Sequence, residues 1–160
     1  MVKNVIFCDF DEVLVIEADR YNSDNTIRNG IDSLKNPKIV LLNHLLEINN
    51  TEAYFVPIST WGEELADNKE IFQQFLSENK LNNLKIFEKE RYINEFNSNR
   101  PEEIDVFIRQ YNVENYIILD DEFSQEYDLL RLNHITTEKN IGINSPDIIE
   151  KLNNTFKKWN

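Results

Sequence analysis

The stretch Val2-Lys3-Asn4-Val5-Ile6-Phe7-Cys8-Asp9-Phe10-Asp11 begins as a short apolar run and breaks onto two carboxylates. A bounded run of this length reads as a strand covered on both faces, as strands of a parallel sheet are. Ligands on such sheets bind outside the carboxyl ends of the strands, so Asp9 and Asp11 stand where chemistry is expected. Downstream, Pro37 suits the first position of a helix, and Ile39, Val40, Leu42, Leu45, Leu46 and Ile48 recur at helical spacing up to Asn49-Asn50. A second strand is predicted over 53–58, followed by Ser59-Thr60-Trp61-Gly62, a helix over 65–79 and a short third strand over 84–87. Pro101 opens another helix, with Glu102 and Glu103 in its positive first turn and Ile104, Phe107, Ile108 and Tyr111 on one face. A fourth strand over 116–119 ends in Asp120-Asp121-Glu122. A short amphipathic stretch over 123–132, an edge strand over 134–136 and a helix from Ser145-Pro146 toward Trp159 complete the chain. Strands alternating with helices predict an α/β fold built on a doubly wound parallel sheet, with Asp9, Ser59 and Asp120 at strand ends. The polar segment 14–36 reads as an extended loop or small hairpin lying over that end.

The 160 residues suit one domain, 1–160, and no repeat or linker divides them. A hydrophobic fraction of 41% with 11% aromatic residues supports a full core despite a net charge of -12. That charge argues against unassisted binding of polyanions. No apolar run approaches the ~20 residues of a membrane span, and residues 1–11 lack the pattern of a signal peptide, so a cytoplasmic protein without membrane contact is expected. Cys8 is the only cysteine, which excludes an internal disulfide and a Cys-rich zinc site. With Gly30, Gly62 and Gly142 as the only glycines, G-x-G-x-x-G and Walker-type phosphate loops are absent. Cys8 reads as a buried strand residue, because a cysteine phosphatase needs Arg six positions on and Leu14 stands there. His44 and His134 have no metal-binding spacing and read as ordinary core or surface residues.

Asp9-Phe10-Asp11 at one strand end and Asp120-Asp121 at another would crowd four carboxylates together. Such groups repel and raise one another's pKa unless a cation neutralises them. Oxygen donors of this kind suit Mg2+, which is held by one or two carboxylates with substrate phosphate and waters. Taken alone, a D-x-D pair is a common solvated turn or helix cap; two acidic clusters at two strand ends shift the balance toward a site.

The run Val5-Ile6-Phe7-Cys8-Asp9-Phe10-Asp11-Glu12-Val13-Leu14 resembles motif I of the haloacid dehalogenase (HAD) superfamily, D-x-D-x-[TV]-L after an apolar strand. Val56-Pro57-Ile58-Ser59-Thr60 is similar to motif II, and Ile117-Ile118-Leu119-Asp120-Asp121 to the acidic motif IV. Ser59-Thr60-Trp61, Arg100-Pro101-x-Glu103-Ile104 and Leu119-Asp120-Asp121 together resemble the small HAD domains associated with RNA-repair proteins. The resemblance implies a HAD-like Rossmannoid fold and a Mg2+-dependent phosphatase acting on phosphate monoesters through an aspartyl phosphate. By it, Asp9 is the nucleophile and Asp11 the general acid and base. Mg2+ would be held by Asp9, the Asp11 backbone carbonyl and Asp120, with Asp121 acting directly or through water. Ser59 would donate to a phosphate oxygen, with Thr60, Trp61 and Arg100 also in contact with substrate. Arg100 is assigned as the motif III base, with Lys85 and Lys89 as rivals. Trp61 could stack on a base or serve as core or pocket wall.

Glu12 departs from the family, which often has Gly after the second Asp. It is expected to add negative charge beside the phosphate and to bar a conformation reserved for Gly, placing turnover in question. A nuclease using the same acidic cluster with two metals, and a HAD-fold binding module without turnover, are the alternatives. The intervals between motifs are too short for a cap of about 50 residues or more, so no large cap domain is expected. An open site with residues 17–36 as its flap then favours a phosphate on a large substrate, in particular a nucleic-acid end.

Overall fold

The computed structural model describes residues 1–16, 36–58, 69–87 and 100–160. Five strands, β1 (Val2–Cys8), β2 (Ala53–Pro57), β3 (Leu84–Ile86), β4 (Val113–Asp120) and β5 (His134–Thr136), form one sheet in the order β3-β2-β1-β4-β5. Every pairing is parallel. Among the described residues the helices are α1 (Pro37–Ile48), α2 (Lys69–Glu78), α3 (Arg100–Tyr111), α4 (Ser124–Leu129) and α5 (Pro146–Lys157).

β1 lies at the centre and is buried from Asn4 to Cys8, which explains its near-continuous apolar sequence. Its side chains alternate between two cores. Ile6 and Cys8 join Leu42, Leu45 and Leu46 of α1, Phe75 of α2 and Leu152 and Phe156 of α5. Val5 and Phe7 face the other way, toward Ile104 and Phe107 of α3 and Tyr127 of α4. Phe7 meets Phe107 edge-on with ring centroids 5.2 Å apart, a favoured aromatic geometry. Helices thus cover both faces, as a parallel sheet with this burial requires.

The α1 start follows from local chemistry. Asn36 Oδ1 accepts from the backbone N–H groups of Lys38 and Ile39 at 2.9 and 3.1 Å, and Pro37 occupies the first turn. Asn36 Nδ2 also donates to the Leu14 carbonyl at 2.6 Å, tying α1 to the loop after β1. Within the predicted apolar stripe of α1, Val40 and Ile48 are exposed while Ile39, Leu42, Leu45 and Leu46 are buried. In α5 Ile148, Leu152 and Phe156 form the buried stripe, and Ser145 precedes the helix without a side-chain capping bond.

The chain winds outward from β1 through β2 to β3, then crosses to β4 on the far side of β1. The strand order therefore reverses between β1 and β4, the point at which open α/β sheets bind ligands. Among the described residues no large cap accompanies the sheet. The segments 17–35, 59–68 and 88–99 lie outside the described residues, and each is shorter than the about 50 residues of a separate domain.

Candidate active site

Cys8 of β1 pairs in register with Leu119 of β4, and the Asp9 N–H donates to the Leu119 carbonyl at 2.9 Å. That ladder brings Asp9 and Asp120 to adjacent strand ends. Both are buried, as is Arg100 at the start of α3. Arg100 Nη1 lies 2.9 Å from Asp120 Oδ2 and 3.3 Å from Asp9 Oδ2, so a single guanidinium nitrogen bridges the two carboxylates. The guanidinium carbon also sits 5.0 Å from the Phe123 ring centroid, a cation–π contact. Asp9 Oδ1 accepts from the Phe10 N–H at 2.7 Å, and Asp120 Oδ1 from the Glu122 N–H at 3.0 Å. Carboxylate oxygens of Asp9, Asp120 and Asp121 lie within 4.8 Å of one another.

The electrostatics of this cluster call for a cation. If all three carboxylates ionised, one guanidinium would leave two negative charges in a poorly solvated place. Burial, followed by the charge of Asp120, pushes Asp9 up to about 8, against the opposing pull of Arg100 and the Phe10 N–H. Asp121 is raised in the same sense, by burial and then Asp120. For Arg100, burial alone would lower the pKa, but Asp120 and Asp9 outweigh it and hold the guanidinium charged. Hard oxygen donors, close spacing and a residual charge of two fit a divalent ion such as Mg2+.

This balance predicts the pH response of the metal-free chain. Between about pH 4 and pH 8 the folded chain keeps a proton on Asp9 that the unfolded chain has released. Stability of that group's environment therefore falls as pH rises through the window. Thermal melts in chelator should lose Tm from pH 5 to pH 8, and both excess Mg2+ and Asp9→Asn should flatten the slope. An unchanged slope in Asp9→Asn would exclude Asp9 as its source.

The structure brings together Asp9, Asp120, Asp121 and Arg100. Asp11 follows in a partly exposed loop, bridged to Val15, and its carboxylate is outside the three-Asp cluster. Lys85, a rival to Arg100, is instead exposed and paired with Glu52. Lys89, Ser59, Thr60 and Trp61 lie outside the described residues, as does the proposed flap apart from Asn36. Cys8 is fully buried, and burial, then Asp9 and Asp120, raises its thiol pKa, so it is held protonated. His44 pairs with Glu47 and His134 with Asp128, and neither belongs to the acidic cluster.

The conformational part of the expectation for Glu12 requires correction. Glu12 adopts the left-handed conformation itself, with φ at 59°. Its Oε2 accepts from the Asn140 N–H at 2.6 Å, and its carbonyl accepts from Thr137 Oγ1 at 2.9 Å. The carboxylate is thus engaged by the turn after β5, and those bonds offset a backbone conformation costly for a residue with a Cβ. Sequence reasoning also missed Tyr127, whose hydroxyl donates to Asp120 Oδ2 at 2.6 Å. Its only sequence signal is its place on the inward face of the amphipathic stretch, seven residues after Asp120.

An all-parallel sheet carrying an acidic cluster at the switch point between β1 and β4 is the arrangement expected of HAD-type domains. Residues 5–148 match the family described as the HAD domain in Swiss Army Knife RNA repair proteins, and the chain belongs to that family. Neither the curated proteins nor the solved structures contain a match. A hydrolase of the HAD kind with an acidic cluster able to hold a metal follows from these findings. Among the described residues, no helix is long and apolar enough to cross a membrane.

Proposed function

We propose that this domain is a Mg2+-dependent phosphatase that hydrolyses phosphate monoesters through an aspartyl phosphate on Asp9. The observation that carries the reading is the buried Asp9–Arg100–Asp120 bridge, with Asp121 beside it, at the switch point of the sheet. Asp9, Asp120 and Asp121, with the Asp11 carbonyl, would hold Mg2+. When bound, the ion neutralises the carboxylates and the charge developing on the phosphoryl oxygens.

Asp9 attacks phosphorus in line as the bond to the leaving oxygen breaks, dividing one hard displacement into two easier ones. Asp11 gives its proton to the leaving oxygen and then takes one from the water that attacks the acyl phosphate, releasing inorganic phosphate and restoring Asp9. Arg100 supplies fixed positive charge to the phosphoryl oxygens. Ser59 donates a further hydrogen bond, and Thr60 and Trp61 contact the substrate beside it.

For the substrate class we favour a phosphate at the end of a nucleic acid. The family's RNA-repair description supports this, as does the lack of a large cap among the described residues, because a site without one has few walls to enclose a small metabolite. The lone cysteine, buried and protonated, fits a reducing cytoplasmic setting.

Steady-state phosphate release from a terminally phosphorylated oligonucleotide and from the matching mononucleotide, with Mg2+ and with chelator, tests the proposal. The expected result is Mg2+-dependent release with the higher kcat/KM on the oligonucleotide. Equal or better kcat/KM on the mononucleotide defeats the substrate class. Cleavage of internal diesters would indicate a nuclease, and no turnover of any monoester a binding module.

A further inference from the structure

The Asp120 carboxylate accepts three hydrogen bonds, one from backbone and two from side chains. Its Oδ1 takes one donor, the Glu122 N–H, while its Oδ2 takes two, Arg100 Nη1 at 2.9 Å and Tyr127 Oη at 2.6 Å. A carboxylate oxygen offers about two acceptor positions, so Oδ2 is saturated and the open position lies on Oδ1. We propose that Tyr127 is a positioning residue for the metal site: with Arg100 it occupies Oδ2 of Asp120 and so selects Oδ1 as the oxygen that ligates the cation. This inference rests on the metal-dependent reading above and deepens it.

Burial gives Tyr127 this role. The side chain is 0% exposed and belongs to the core formed with Val5, Phe7, Ile104 and Phe107. Phe123 and His134 pack against its ring at centroid distances of 6.4 and 5.5 Å. Its backbone is fixed as well, since its N–H donates to Phe123 and its carbonyl accepts from Leu132. A phenol so enclosed needs a hydrogen-bond partner, and Asp120 is the partner present. Phe would fill the same core equally well, so packing alone does not account for a hydroxyl at this position. Without it, Arg100 remains the lone donor on Oδ2, and the carboxylate can rotate or present either oxygen.

Groups that orient metal ligands typically contribute 10- to 100-fold to metal affinity. In calorimetric titrations of the full chain with Mg2+ and Mn2+, Tyr127→Phe should weaken binding by about that factor, with kcat near wild type once metal is saturating. In an Asp120→Asn background the same substitution should cause no further loss, because the ligand it acts through is gone. Unchanged metal affinity in Tyr127→Phe overturns the inference and leaves the phosphatase reading standing. An equal loss in both backgrounds also overturns it, by showing a general structural effect. A wild-type chain that binds neither metal, assayed in parallel for phosphate release, removes both readings. Should Tyr127→Phe fail to fold, wild-type chain labelled with [13Cζ]tyrosine decides the matter: one of its six tyrosine signals should shift with the calorimetric midpoint, and six unmoved signals overturn the proposal.

Discussion

Asp9→Asn should lower phosphate release by about three orders of magnitude or more while leaving the chain folded. The amide has nearly the volume of the carboxylate but cannot attack phosphorus, so the proposed covalent intermediate cannot form. Its oxygen can still accept from the Phe10 N–H, the contact that Asp9 Oδ1 makes at 2.7 Å. The position facing Arg100 Nη1 then carries an amide NH2, which removes one ionic contact. That loss is set against relief of the repulsion between Asp9 and Asp120, which, after burial, is the main force raising Asp9 to about 8. A small change in Tm is therefore expected, and circular dichroism and a thermal melt check it. Retention of more than about a tenth of wild-type turnover, far above what loss of a nucleophile leaves, would exclude Asp9 as the attacking group.

The layout around Asp9 was readable because it depends on local pattern. The short apolar run within 2–8 fits a strand covered on both faces of a parallel sheet, and β1 ends at Cys8, just before Asp9. The same logic located β4 and Asp120, although the strand begins earlier than predicted, at Val113, where its side chains are only partly covered and the apolar signal is weak. Arg100 was harder to choose. Nothing in a basic residue's own sequence neighbourhood says whether it is buried, and Lys85, on the edge strand β3, is exposed beside Glu52. Contacts set by how the chain folds back on itself were beyond local pattern. Tyr127 reaching Asp120 depends on α4 folding back under β4, and Glu12 tolerates a left-handed backbone because Asn140 and Thr137 approach it from 128 and 125 residues away.

That same turn carries the second large effect, Gly142→Ala, which should destabilise the fold by roughly 2–4 kcal/mol. Gly142 has φ at +61°, in the left-handed region, and a Cβ placed there would stand 2.3 Å from the Val13 carbonyl oxygen and 3.1 Å from its carbon. The obstacle is backbone, so no side chain can swing aside to admit it. The chain cannot readily yield either, because the Gly142 N–H donates to the Glu138 carbonyl at 3.0 Å and the Ile143 N–H donates to the Val13 carbonyl itself at 3.1 Å. Ile143 is fully buried in the core that contains Val13 and Leu14, so moving the turn outward also opens that packing. For a chain of this size the cost corresponds to a fall in Tm of roughly 5–15 °C. Activity should fall too, since residues 12–14 directly follow Asp11 and are bonded to this turn through Thr137, Asn140 and Ile143. Thermal melts of Gly142→Ala beside wild type, at one pH and one Mg2+ concentration, measure the first effect, and phosphate release well below the new Tm measures the second. A Tm within about 2 °C of wild type, under the ~2–4 °C that each kcal/mol costs a chain this long, would mean that the turn does not make this contact with the loop after Asp11.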